Sequence, residues 1–328
     1  MTNTPGKLRG LQAISDRGVV KALALDQRGS LAAMMAGASG REPSAEMLRE
    51  FKRAITQKLT PDASAILLDR ESGEQVLSSR ASGTGLILTY EKDSYVNRSL
   101  HRMPELISGA TVRSLKEAGA DCIKVLVHYC PYAGEDINDS KQLLVERVGI
   151  ECASEDVPFL LEVLGYDSKG ANPQTFQYAV QKPEIVRLNI VEFSNSRYAV
   201  DLLKVEFPVN MQYVSGSDSF QGKEAYSRSQ ALKYFRQAAQ ASQVPFVYLS
   251  AGVSHAEFLE ALNLAGEGRV PYSGVLCGRA IWQDGARVYS QAGLAGLESW
   301  IENQGRTNLQ RVISCLDRAQ PIPNLNQG

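Results

Sequence analysis

The chain has 328 residues, 44% hydrophobic and 22% charged, a globular composition with room for one large α/β barrel or two ordinary domains. Its 35 Lys+Arg stand against 36 Asp+Glu, and that balance argues against nucleic acid or a membrane surface as a partner. No apolar stretch approaches the roughly 20 residues of a membrane span, and the first residues lack the apolar core of a signal peptide, so a cytoplasmic protein is expected.

Taken in chain order, apolar runs of strand length alternate with amphipathic segments. The first run, Val19–Asp26, ends in an acid and continues into Gln27, Arg28 and Gly29. Met47–Leu59 has helical spacing and leads to a second strand at Ala65–Asp69. Gly85–Tyr90 and Cys122–Tyr129 read as the third and fourth strands, the latter with Lys124 and His128 on one face. A helix at Leu143–Ala153 separates them from Phe159–Tyr166, where Glu162 interrupts the apolar run. The stretch from Asp167 to Val200 is long for one connection and is expected to hold a turn around Gly170–Pro173 and a helix from about Pro183. The sixth strand is Leu202–Phe207, followed by a helix at Tyr226–Ala241. Phe246–Ala251, a helix at Ala256–Leu264, and Gly274–Arg279 complete the pattern. Beyond Trp300 a helix is expected around Leu309–Leu316, then a Pro-rich end that frays.

Continuous apolar runs suit parallel strands covered on both faces. Eight alternations without a break in composition read as a (β/α)₈ TIM barrel with terminal helical extensions. The expected organisation is one domain over residues 1–328, with a barrel core from about 18 to 282 and an extension from about 283 to 328. A doubly wound sheet is the alternative, but no Gly-x-Gly-x-x-Gly follows the first strand.

Lys204 is the most telling residue, because a lysine in a buried strand is costly and tends to lose its proton. A neutral amine forms a Schiff base with a carbonyl substrate. Lys124 and Lys204, on strands four and six, can share a barrel layer, and a second cation depresses an amine pKa further. Glu162 lies on the strand between them, suited to proton transfer or to balancing their charge. Strand alternation also puts Asp26, Asp69 and Glu206 on inner faces, with Tyr248 and Ser250 on strand seven and Val275, Cys277 and Arg279 on strand eight. Each has a structural reading too: Asp26 as a helix cap, Glu162 as a core carboxylate paired with Lys124, and Lys204 with Glu206 as a strand-end ion pair. The loops after strands seven and eight carry Ser250, Gly252, Gly278 and Arg279, where this fold commonly cradles a phosphate. Three scattered histidines and five cysteines without a Cys-x-x-Cys pair suggest no metal site and buried free thiols.

Together these residues resemble the bacterial tagatose 1,6-bisphosphate aldolases, a class I aldolase family. The matching stretches include Ala24-Leu-Asp-Gln-Arg-Gly29, Tyr90-Glu-Lys92, Ala118-Gly-Ala-Asp-Cys-Ile-Lys124, Asp201-Leu-Leu-Lys-Val-Glu206 and Gly274-Val-Leu-Cys-Gly-Arg279. The resemblance implies Lys204 as the Schiff-base lysine and Glu162 as the proton-transfer residue, with Asp26 and Lys124 around the reacting carbons. It implies Ser250, Gly278 and Arg279 at one phosphate, and Gln27 and Arg28 at the substrate's other end. The substrate expected is a ketohexose 1,6-bisphosphate, with no cofactor, no nucleic-acid or membrane partner, and an oligomeric state left open, a homo-oligomer included. His128-Tyr-Cys-Pro131, the Asp167–Pro173 loop and the tail after Trp282 match poorly. A sulfosugar-phosphate aldolase of the same broad family, a phosphosugar isomerase and a non-catalytic sugar-phosphate sensor are the alternatives.

Overall fold

Segments that bury both faces become parallel strands here, because only helices packed outside and side chains packed inside can cover them. The computed structural model describes residues 4–93 and 100–325. Its strands are β1 (Val20–Ala24), β2 (Ala65–Leu68), β3 (Gly85–Thr89), β4 (Cys122–Tyr129), β5 (Phe159–Gly165), β6 (Leu202–Val205), the short pair β7 (Val214–Ser215) and β8 (Tyr226–Ser227), β9 (Phe246–Tyr248) and β10 (Gly274–Cys277). Eight of them close into a barrel in the order β1-β10-β9-β6-β5-β4-β3-β2, and β7 pairs only with β8. The helices are α1 (Pro5–Ala13), α2 (Gly29–Ser39), α3 (Ala45–Leu59), α4 (Glu74–Leu77), α5 (Val112–Glu117), α6 (Glu135–Ser154), α7 (Phe176–Phe193), α8 (Arg228–Gln240), α9 (His255–Glu267), α10 (Arg279–Trp300, broken at Gly293) and α11 (Arg306–Ser314).

The barrel interior is filled by Ala22, Ala24, Ala65, Leu67, Ile87, Leu160, Leu202, Val247 and Leu276. Small residues on β1 and β2 make room for leucines from the facing strands. The base is plugged from both termini: Leu11 and Ile14 from α1, and Ile322 and Leu325 from the tail, join the same cluster. α1 can lie close because Gly10 has no Cβ; one would stand 2.3 Å from the Asp121 carbonyl oxygen. Lys7 then reaches Asp201 at 2.7 Å. The tail therefore does not fray up to Leu325: the Gln320 and Ile322 amides donate to the Tyr272 and Gly18 carbonyls, both at 2.8 Å.

Two sequence expectations need correction. Tyr248, Val275 and Cys277 face outward, in the shell between strands and helices, while Val247 and Leu276 point in. Tyr248 packs against Phe235 of α8. These runs are apolar on both faces, so alternation carried no sign there. The helix after β5 also begins well before Pro183, at Phe176, with the Thr175 hydroxyl accepting from the Tyr178 amide. A proline at 183 leaves the Ala179 carbonyl without its helical donor. The Tyr226 hydroxyl donates to that carbonyl, and the helix runs through.

Candidate active site

The carboxyl ends of the strands gather the charged residues. Lys204, on β6, is 3% exposed, Lys124 on β4 is 1% exposed and Glu162 on β5 is 8% exposed. In the barrel register Glu162 lies directly beside Lys204. Glu162 Oε2 is 2.8 Å from Lys204 Nζ and 3.0 Å from Lys124 Nζ, so one oxygen bridges the two lysine nitrogens. Lys124 also lies 2.8 Å from Asp26 Oδ2 and 2.6 Å from Glu91 Oε1. Glu91 follows β3 and was not foreseen; two residues beyond Thr89, it falls on the inner face by the same alternation that marked Lys124.

The electrostatics follow from that packing. Burial alone would lower the Lys124 pKa, but Asp26, Glu162 and Glu91 outweigh it and hold the ammonium well above the usual lysine range. Burial would raise Asp26 and Glu162, yet Lys124 and then Lys204 hold both carboxyls below their ordinary values. Asp26 is thus an ion-pair partner and not a helix cap; α2 is entered at Arg28 without a side-chain cap. Lys204 does not pair with Glu206. That carboxylate accepts from the Gly165 amide at 2.7 Å and lies 3.5 Å from Lys182 Nζ. Asp69 is bound by Lys52 of α3 and by Ser72.

Above these groups opens a cavity of about 620 Å³, lined among others by His128, Leu164, Glu206, Ser250 and Arg279. Leu164 and Glu206 are the next inner-face residues after Glu162 and Lys204, so the lysine–glutamate pair lies just beneath. Ala251 (φ 49°) and Gly252 (φ 81°) turn the chain sharply after β9. A Cβ at Gly252 would stand 2.7 Å from an Arg279 guanidinium nitrogen, so glycine lets that arginine lie against the turn. Gly278 is required differently: a Cβ there would be 2.2 Å from the Ala24 carbonyl. Burial pulls the Arg279 pKa down, partly offset by the charges of Glu162 and Asp26.

Gln27 and Arg28 follow β1. Gln27 Oε1 is buried without a hydrogen-bond partner among the described residues, ready for a polar ligand. Arg28 donates to the Glu91 carbonyl at 3.1 Å and lies 3.2 Å from Glu71 Oε1. Burial would lower its pKa, but Asp69, Glu71, Glu91 and Asp93 raise it.

A family model described as DeoC/LacD family aldolase matches residues 20–284. The chain belongs to this aldolase family. A tagatose 1,6-diphosphate aldolase of Listeria innocua is 42% identical over 315 residues, covering 96% of this chain and 92% of the relative. Tagatose 1,6-diphosphate aldolase 1 of Enterococcus faecalis is 41% identical over 303 residues, 92% of each. Among solved structures, a Schiff-base-forming fructose-1,6-bisphosphate aldolase superposes with a TM-score of 0.55 at 15% identity, covering 90% of this chain and 98% of that one. The last likeness is one of fold, and it agrees with the closed parallel barrel. All five cysteines of this family member are free, and none of its described helices is long and apolar enough to cross a membrane.

Proposed function

We propose that this aldolase is a metal-independent class I enzyme. It cleaves a ketohexose 1,6-bisphosphate, tagatose 1,6-bisphosphate foremost, to dihydroxyacetone phosphate and glyceraldehyde 3-phosphate. The barrel and its terminal extensions act as one unit, working in the cytoplasm. The observation that carries this reading is buried Lys204 Nζ 2.8 Å from Glu162, one inner-face step below the Glu206 and Leu164 that line a cavity with Arg279. The names of the relatives support the choice of sugar.

Lys204 adds to the ketone carbon, and Glu162 shuttles the proton that lets water leave as the iminium forms. The iminium accepts the electrons of the bond between the third and fourth carbons as the 4-hydroxyl loses its proton. Asp26 and Glu162 are the ionised carboxylates available for that proton. The aldehyde phosphate departs, the enamine is protonated at the third carbon, and water releases dihydroxyacetone phosphate and the free amine. Lys124 keeps three carboxylates aligned through this sequence. Ser250, Gly252, Gly278 and Arg279 receive the phosphate nearest the ketone, by backbone amides and a guanidinium fork.

The ammonium of Lys124 occupies the centre of the acidic cluster, the position a cation would take. Activity on tagatose and fructose 1,6-bisphosphates, read as dihydroxyacetone phosphate release, is therefore expected to survive prolonged EDTA. Loss on chelation with rescue by zinc would overturn the metal-independent reading.

A further inference from the structure

A second guanidinium lines the cavity: Arg102, in the connection between β3 and α5. Its NH1 group lies 3.0 Å from Nε2 of His128, near the carboxyl end of β4. Arginine has only donors, so this histidine nitrogen accepts and the ring is neutral. Burial and the neighbouring Arg102 charge pull the His128 pKa down to about 3, which keeps it an acceptor across physiological pH.

Lys141 of α6 fixes this pair from behind. Its side chain is fully buried, and its Nζ donates to the His101 carbonyl at 2.5 Å and the His128 carbonyl at 2.7 Å. One ammonium thus ties the residue preceding Arg102 to the residue that holds the Arg102 fork. Burying a lysine against carbonyls is costly, and burial lowers its pKa to about 8. An arrangement this costly keeps a guanidinium in a fixed attitude over the cavity.

The barrel order gives the pair its meaning. β4, which carries His128, stands diametrically across the barrel from β10, which leads into Arg279, and β6 with Lys204 lies midway between them. Arg28, by contrast, follows β1, the immediate neighbour of β10. Arg279 and Arg102 thus line one cavity from strands on opposite sides of the barrel, with the strand of Lys204 between them.

We propose that Arg102, oriented by His128 and Lys141, forms the second anion subsite and binds the phosphate remote from the substrate's ketone. This rests on the aldolase reading above. The test compares kcat/KM for a ketohexose 1,6-bisphosphate and the corresponding 1-phosphate in the wild type, Arg102→Ala and Arg102→Lys. Losing a charge-assisted contact is expected to lower the bisphosphate-to-monophosphate ratio about 10- to 100-fold in Arg102→Ala, with part of it restored in Arg102→Lys. An unchanged ratio, or equal loss on both substrates, overturns the subsite while leaving the aldolase reading intact. If the wild type cleaves neither sugar, the aldolase reading itself fails, and this inference with it.

Discussion

Lys124 carries its charge at the meeting point of Asp26, Glu91 and Glu162, and the behaviour of the site at low pH depends on that charge. Asp26 and Glu162 have depressed pKa values, so they contribute stability that is present above the unfolded-state carboxyl pKa and lost as pH falls through the folded value. Lys124→Met removes a main lowering influence on both. The acid limb of the kcat/KM profile is therefore expected to move to higher pH, and an acid limb that stays in place would contradict the assignment. Leaving three buried carboxylates short of a partner is also expected to cost about 3–5 kcal/mol of stability, read by denaturant unfolding. Strand alternation made Lys124, Glu162 and Lys204 legible as an inward-facing set. Glu91 lies past the end of the apolar run, and only by carrying the alternation two residues beyond Thr89 does it join that set.

Among the elements, the turn after β9 and the start of α10 act as one device. Gly252→Ala puts a methyl group against the Arg279 guanidinium and forces a non-glycine residue to φ 81°. The strain costs about 1–2 kcal/mol, and displacement of Arg279 is expected to raise KM for the bisphosphate about tenfold while Lys204 still forms its adduct. An unchanged KM would mean that Arg279 does not hold the phosphate. The eight strands were readable because each is a short apolar run bounded by turn residues. Which way β9 and β10 face was not, since Tyr248 and Val247 are both buried. The start of α7 was hidden by Pro183, whose cost is met by Tyr226, a residue 43 positions away that no local pattern connects to it.

At the scale of the whole molecule, the two ends of the barrel have separate duties. The base is sealed by α1 and the tail, and the mouth holds the chemistry. Deleting the residues after Ala319 removes Ile322 and Leu325 from the base, an expected loss of about 3–6 kcal/mol for two large apolar side chains. The melting temperature should drop while kcat on the intact fold changes little; an unchanged melting temperature would mean the tail does not seal the barrel. The central claim concerns the mouth, and borohydride trapping tests it most directly. The protein is incubated with dihydroxyacetone phosphate and sodium borohydride, then digested and mapped by mass spectrometry, with Lys204→Ala alongside. One reduced adduct at Lys204, with loss of turnover and no adduct in the variant, is the predicted result. An adduct on Lys124 instead, or no adduct under conditions where the sugar is cleaved, would contradict the account.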